Sequence, residues 1–534
     1  MNTTELLTIA EAIVPDRSAM IFDGREFTYA QFSQRVNRLA NAMAELGVTP
    51  GDRIATMQVN SHRSIELYFA AAQLDAVYVP VNFRAKTEEL HQMLRISEPN
   101  CLFIGERYLE LLGEEDLFGM PRDRVIILDA GTSTGLTSYE QLLRTASPDQ
   151  LHFPEADDND TTVIMFTSGT TSAPKGVMLT HDSFASYILA TVMPADPDVE
   201  ETNLVTVPYY HIAGLQAALT AVYAGRTQVI MRQFDADQWM ELVQHYQANR
   251  AMLVPTMLKQ LMEHPRFGEF DLSSLGVITY GAAPMPIEVI REAIGRFPGV
   301  SFINAFGQTE TASTITMLPP EDHVLEGSPG EIETKLRRLT SIGKPLEDVE
   351  VEIVDEDGNP ATEGETGEIV ARGPRMMAGY WHEEAATRET VRSGWVYTGD
   401  LGYKDNDGYI YLAGRSKDFI KRGGEMVSPE EVEQVLMSHP QIDDAAVIGV
   451  DDAEWGEEIR AVVVRAFAGA PAGSGEGEPA TETDIIEYCR ERLAGFKRPR
   501  SVVFVDELPR NVMGKVLKRD LREVYGYPVE SGRQ

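Results

Sequence analysis

Two cysteines in 534 residues, Cys101 and Cys489, exclude a disulfide framework and a cysteine-built metal centre. Cations are scarce as well: 47 Lys and Arg stand against 83 Asp and Glu, leaving a formal charge of −36. A surface that acidic repels phosphate backbones and anionic lipid, which argues against nucleic acid as a partner. Long apolar runs are missing. No stretch approaches the roughly 20 residues that cross a bilayer, so no integral membrane segment is expected. The first residues carry Glu5 and Glu11, with no basic segment ahead of an apolar run, and do not read as a signal peptide. With so few cysteines, a reducing cytoplasmic setting fits. Ile485, Cys489 and Leu493 recur at i, i+4 and i+8, so Cys489 reads as a buried structural thiol rather than a nucleophile.

What is present suits a large globular chain. Apolar residues make up 43%, enough for sizeable cores, and the length suggests roughly three to four domain-sized units. Phe32, Val36, Leu39, Met43 and Leu46 repeat at three and four, with Thr28 and Gln31 as a capping box and Gly47 as the stop. A helix over 27–46 follows. Strands are expected at 52–57 and 76–81 and a helix at 65–74, with similar alternation from Asp235 to Tyr280, which indicates α/β layers. From Gly343 to about Gly414 short β-rich runs are split by Asp357-Gly358 and Asp407-Gly408, hairpin signals that suggest a small β-barrel. Beyond it the pattern is mixed: helix 429–437, strands 445–450 and 461–467, helix 484–493, strand 502–505. Residues 470–479, rich in Gly, Pro and Ala, read as a mobile surface loop. The expected division is an N-terminal domain over 1–414, a hinge at 415–417 and a mobile C-terminal domain over 418–534.

The most informative stretch is Phe166-Thr167-Ser168-Gly169-Thr170-Thr171-Ser172-Ala173-Pro174-Lys175-Gly176. It follows the apolar run Val163-Ile164-Met165. Backbone and side-chain donors, close-approach glycines and one cation suit a polyphosphate. It is not a Walker A loop, which needs Gly-Lys followed by Ser or Thr. By itself it is equally a surface linker.

Four further motifs follow in order: Phe306-Gly307-Gln308-Thr309-Glu310, Tyr397-Thr398-Gly399-Asp400, Gly414-Arg415-Ser416-Lys417-Asp418 and Pro509-Arg510-Asn511-Val512-Met513-Gly514-Lys515. The ordered set resembles the adenylate-forming superfamily of acyl- and aryl-CoA synthetases, luciferases and peptide-synthetase adenylation domains. The resemblance covers nearly the whole chain. One departure is Ser172, where the family usually has Gly.

The resemblance implies an α/β fold: layered α/β subdomains plus the barrel in the large N-terminal domain, and a small α+β C-terminal domain. It implies ATP, Mg²⁺ and coenzyme A as cofactor or co-substrates, and a small-molecule carboxylic acid as substrate; a homodimer is compatible with it. ATP would be met by Thr167, Ser168, Gly169, Thr170, Thr171 and Lys175 in the first loop. Gly281, Ala282 and Ala283 would pass along the adenine with Asn304, Ala305, Phe306 and Gly307, Phe306 standing where an aromatic stacks. Thr309 would contact phosphate. Glu310, assisted by Thr167, would hold Mg²⁺, a hard cation that takes carboxylate and phosphate oxygens. Asp400 would accept the ribose hydroxyls, for which two carboxylate oxygens are suited, and Arg415 would reach the ribose and phosphate. Lys515 would bridge carboxylate and α-phosphate as a point charge.

The same resemblance makes Lys417 the hinge residue and places Gly423 and Gly424 along the pantetheine arm. His211 becomes a gate beside the acyl group, with general-base work as the lesser reading. The acyl pocket would be lined by Ile212, Ala213, Gly214, Val254, Ala282, Ile303, Ala305 and Ala312. That set is small and apolar with no partner for a second charge, which favours a medium- or long-chain fatty acid, then an aromatic acid. The expected activity is an ATP-dependent acid–CoA ligase. The alternatives are a freestanding adenylation enzyme loading a carrier protein, a luciferase-type oxygenase, and an inactive nucleotide sensor.

Overall fold

Helix Tyr29–Glu45 shows how local signals organise this chain. Thr28 accepts from the Gln31 amide and the Gln31 side chain accepts from the Thr28 amide, closing the capping box. Phe32, Val36, Leu39 and Met43 are fully buried, each contributing on the order of 1.5–3 kcal/mol by leaving water. Leu46 caps the last turn and Gly47 follows at φ +82°, a left-handed conformation that costs glycine little.

The computed structural model describes residues 1–113, 117–129, 135–167, 174–415, 418–422, 425–452, 455–466, 479–511 and 514–526. The chain divides into two units. The first comprises Met1–Leu339, Gly343–Val351 and Ala371–Tyr397; the second comprises Thr340–Ile342, Glu352–Val370 and Thr398–Gln534.

Among the described residues the first unit holds two large sheets. One has nine strands in the order Lys344–Pro345, Ser313–Leu318, Ser301–Gln308, Val277–Gly281, Arg250–Leu253, Thr202–Val205, Thr227–Ile230, Ser18–Phe22 and Arg25–Thr28. The strands from Ser301–Gln308 to Ser18–Phe22 run parallel to one another, and the next strand beyond either end of that run is antiparallel to it. The other has eight, in the order Gly379–Tyr380, Lys175–Thr180, Thr161–Thr167, Val77–Pro80, Arg53–Met57, Cys101–Ile104, Val125–Ile127 and Thr137–Ser138. Helices such as His62–Gln73 and Ala236–Tyr246 form the crossovers. This is the layered α/β arrangement expected from the alternation. Parallel strands covered on both faces by helices explain why Val77–Pro80 and Cys101–Ile104 are buried throughout.

The β-rich segment forms the expected small barrel-like element, a five-stranded half-barrel sheet. In the second unit Asp400–Lys404 pairs with Ile410–Arg415 around Gly408, whose φ is +83°. Asp405 accepts from the amides of Asp407 and Tyr409 and holds that turn.

The second unit also contains a sheet of Ile442–Asp452, Gly456–Arg465, Ile420–Arg422, Glu425–Val427 and Ser501–Val505. Helices Pro429–Met437 and Glu482–Arg490 contribute to one core with it, where Val432, Leu436, Ile485 and Cys489 are fully buried. Helix Lys518–Tyr525 places Leu521 in a second core with Ala446, Ile448 and Val462. Burial pushes the Cys489 thiol up to about 11 and the Cys101 thiol up as well. Both are inert structural thiols at neutral pH. The expected loop at 470–479 lies outside the described residues apart from Pro479. No helix among the described residues is long and apolar enough to cross a membrane.

Candidate nucleotide and acyl site

In the first unit, strands Thr161–Thr167 and Lys175–Thr180 are an antiparallel pair in which Thr167 faces Lys175. The Ser/Thr/Gly loop therefore joins two rigid strand ends, and its cation stands where the returning strand begins. Ser168, Gly169, Thr170 and Thr171 lie outside the described residues. The Lys175 ammonium sits 5.0 Å from the centre of the Tyr380 ring. The Tyr380 hydroxyl donates to Glu310 Oε1 at 2.9 Å. Burial, then the Glu310 charge, pushes the Tyr380 hydroxyl well above its usual pKa, so it remains a donor. Glu310, Tyr380 and Lys175 thus form one carboxylate–phenol–ammonium chain, and sequence reasoning identified only its two ends. Tyr380 carries no motif signal: it lies 70 positions from Glu310, in a strand of two residues.

Glu310 sits in the turn Thr309–Thr311 at the end of strand Ser301–Gln308. Its carbonyl accepts from the Met377 amide at 2.9 Å, which ties that turn to the Gly379–Tyr380 strand. No group of three His, Cys, Asp or Glu side chains able to hold a metal occurs among the described residues. Mg²⁺ keeps water and phosphate oxygens and takes only one or two protein carboxylates, so a single glutamate is chemically sufficient for it. Glu310 and Thr167 would hold it, and when bound it would screen charge on the phosphates.

Two glycines in the candidate adenine segment are required by packing. A Cβ at Gly281 would lie 2.1 Å from the Ala305 carbonyl oxygen, and one at Gly307 1.5 Å from that of Ser313. Gly281 and Ala305 are register partners on adjacent parallel strands. Ala282, exposed, adopts φ +66°, an uncommon state for a residue with a side chain that recurs at ligand sites. Ala283, Asn304, Ala305 and Phe306 are half-buried. Phe306 is therefore no plain core residue.

The second unit brings together Asp400, Arg415 and Lys515. Asp400 and Arg415 are register partners, and Arg415 Nε meets Asp400 Oδ1 at 2.9 Å. The Asp400 amide donates to the Thr398 hydroxyl, which donates onward to the Ile369 carbonyl. Gly399, at φ +71°, donates its amide to Glu368. Lys515 lies in a turn closed by an Arg510–Val516 bridge and by a pair of bonds with Asn511. Burial and then the Arg415 cation hold the Lys515 ammonium below the usual lysine range, while Asp400 and Asp418 work in the opposite direction. The lysine thus stays within electrostatic reach of the candidate ribose carboxylate. Lys417, Gly423 and Gly424 lie outside the described residues.

His211 caps helix Ile212–Tyr223 from a half-buried position. Its Nε2 has no hydrogen-bond partner among the described residues. Burial pushes the imidazole down to about 3. So weak a base is a poor proton acceptor at neutral pH, which counts against the general-base reading. A second correction concerns Gly214. A Cβ there would lie 2.3 Å from the Pro208 carbonyl oxygen and 2.9 Å from that of Val207. The glycine makes room for backbone, not for an acyl tail. Val254 and Ala312 are fully buried and Ile212 nearly so, whereas Ala213, Ile303 and Ala305 are half-buried and remain available as lining.

Sequence reasoning also missed an aromatic and basic surface in the second unit. Trp455 and Phe496 are 44% and 37% exposed. Arg422 lies 5.8 Å from the centre of the Trp455 ring and donates to the Phe496 carbonyl. Lys497 lies 5.6 Å from the centre of the Phe496 ring. Arg498 and Arg500 follow in sequence. The signal was present in Phe496-Lys497-Arg498-Pro499-Arg500, a basic run in an acidic chain.

Residues 10–381 match the family model of the AMP-binding enzymes, and residues 431–515 match that of the AMP-binding enzyme C-terminal domain. The chain belongs to the AMP-binding enzyme family. It is 32% identical over 526 residues to an indoleacetate–CoA ligase of Aromatoleum aromaticum, covering 98% of each chain. It is 33% identical over 505 residues to the long-chain-fatty-acid–CoA ligase FadD13 of Mycobacterium tuberculosis, covering 94% of each. Among solved structures it resembles the anthranilate CoA ligase AuaEII in complex with anthranoyl-AMP, with a TM-score of 0.85, 25% identity and coverage of 98% of this chain and 97% of that one.

Proposed function

We propose that this chain is an ATP-dependent carboxylic acid–CoA ligase that works through an acyl-AMP. The observation that carries the reading is the Asp400–Arg415–Lys515 cluster: a carboxylate suited to a diol, an arginine and a half-buried lysine assembled from strand ends and a turn. In the first step a carboxylate oxygen attacks the α-phosphorus, forming an O–P bond as pyrophosphate leaves. Two anions must approach, and the Lys515 ammonium stabilises the charge that develops between them. Asp400 orients the ribose and Lys175 offsets phosphate charge. In the second step the CoA sulfur attacks the acyl carbon and AMP departs. The two steps need different groups at one cleft. A hinge at 415–417 would present Lys515 first and the Lys421–Glu425 loop second, a conformational alternation common in such enzymes.

CoA is favoured as the thiol by the exposed Trp455 and Phe496 with the exposed Arg500 and the half-buried Arg498, Arg422 being buried and Lys497 already paired with Glu431 at 2.7 Å. Aromatic faces suit an adenine and guanidinium groups suit phosphates, and this cationic surface stands out against a net charge of −36.

The acid is read as apolar. Ala213, Ile303 and Ala305 offer no partner for a second carboxylate, and the reading remains a medium- or long-chain fatty acid. An aryl acid is the second reading, favoured by the similarity to the indoleacetate–CoA ligase. A panel of fatty, aryl and dicarboxylic acids with ATP, Mg²⁺ and CoA, followed by pyrophosphate release and acyl-CoA formation, tests it. Turnover with fatty acids is expected; turnover with dicarboxylates alone would overturn the pocket reading, and no turnover with any acid would overturn the ligase reading.

A further inference from the structure

The turn that carries Lys515 is held at both ends by ion pairs. Ahead of it, Arg510 Nη2 meets both Asp444 oxygens at 2.8 and 2.6 Å, and Asp444 belongs to strand Ile442–Asp452. Behind it, Lys518 opens helix Lys518–Tyr525. A cation at a helix N-terminus opposes the helix dipole, so its placement needs another reason. Lys518 Nζ stands 2.9 Å from Glu433 Oε1 and 3.7 Å from Glu430 Oε1. Both carboxylates lie on helix Pro429–Met437, three residues apart on one face. Glu433 is fixed in turn by the Val447 amide, which donates to its Oε1 at 2.7 Å. Lys518 and Glu433 are 13% and 15% exposed at the side chain. A buried pair of this kind is a weak source of stability, but a broken one is costly.

We infer that Lys518, locked by Glu433, is a positioning residue for the adenylating step and acts through Lys515. The inference rests on the ligase reading of the same site. Two residues, Val516 and Leu517, separate the two lysines, so the anchored helix start determines where the turn delivers the Lys515 ammonium beside Asp400. The two ion pairs bracket the turn on strand Ile442–Asp452, one directly through Asp444 and one through Glu433 and Val447. The charges facing Lys515 are Arg415, Asp400, Asp418 and Lys518. Lys518 is therefore also part of the field that sets its proton affinity, and Glu433 tempers that part. Asp418 is itself paired with Arg522 at 3.1 Å.

Acid-dependent pyrophosphate exchange and thioester formation from synthetic acyl-AMP separate the two half-reactions. Parent enzyme without exchange would end the ligase reading itself. With an active parent, Lys518→Met should lower the exchange kcat by at least about tenfold, because small misplacement of a charged group costs that much or more. KM for ATP and the thioester half-reaction should change less than about twofold. Lys518→Arg should restore most of the rate. The Lys515 amine must be protonated, so exchange falls as pH rises through its pKa. Removing the Lys518 cation should move that alkaline limb to higher pH. Glu433→Gln keeps the shape and the acceptor for Val447 while leaving Lys518 less compensated, so it should move the limb to lower pH; it also serves if Lys518→Met does not fold. Equal losses in both half-reactions, no rescue by arginine, or limbs that move together in both variants would overturn the inference.

Discussion

Tyr380 donates its hydroxyl to Glu310 Oε1 across 2.9 Å while its ring lies under the Lys175 ammonium at 5.0 Å. One side chain thus orients the candidate Mg²⁺ carboxylate and lodges the candidate phosphate lysine. Neither task requires Tyr380 to touch the reacting atoms.

Tyr380→Phe keeps the ring and removes the hydroxyl bond. Stability should change by no more than about 0.5–1.5 kcal/mol. The Glu310 carboxylate loses its orienting donor, so the apparent KM for MgATP should rise by roughly tenfold with a smaller loss in kcat. Steady-state kinetics at varied Mg²⁺ measure this, and an unchanged KM would show that Glu310 needs no such support.

Gly214 and Ala213, both expected to line the acyl pocket, differ in the structure: a Cβ at Gly214 would meet backbone, while Ala213 is half-buried. Gly214→Ala pushes a methyl group into the Pro208 carbonyl and should destabilise the protein by about 1–3 kcal/mol, without changing the ratio of kcat/KM for long versus short acids. Ala213→Leu, from a half-buried position, should lower that ratio by about tenfold, equivalent to about 1.4 kcal/mol. Thermal melts and an acid series read both; a specificity change in the Gly214 variant alone would reverse the assignment.

Three histidines, the buried His62 and His181 and the half-buried His211, make acid stability a further test. His62 and His181 are pushed down to about 4 and His211 to about 3, in each case first by burial. Their folded pKa values lie below the ordinary 6.5, so the unfolded chain binds more protons below that pH. Stability is therefore fully present above about pH 6.5 and is lost as pH falls toward 4. His62 packs against Phe27 at 4.8 Å with both ring nitrogens unpartnered among the described residues, so His62→Phe should flatten the Tm-versus-pH curve over that window. An equally steep curve would place the acid sensitivity elsewhere.

Local physics made much of this fold readable. The Thr28 capping box, the period of Phe32 to Met43 and the Asp407-Gly408 turn each involve neighbours in sequence, and each formed as expected. Helix Pro429–Met437 matched its expected bounds. Motif residues came together where one hairpin joins them, as Asp400 and Arg415 do. The missed groups act across long separations: Tyr380 on Glu310, Lys518 on Glu433, Arg422 beside Trp455. Gly214 illustrates a further ambiguity. An absent side chain signals either space for a ligand or contact with backbone, and only the packed structure distinguishes them.

The proposed division of labour assigns Lys515 to acyl-AMP formation and not to thioester formation. The most direct measurement compares Lys515→Ala with the parent in the two separated half-reactions. Adenylation should fall by two or more powers of ten, the scale of one lost transition-state donor, while conversion of pre-made acyl-AMP to thioester should stay within about threefold of the parent. Equal losses in both half-reactions, or adenylation that survives intact, would contradict it.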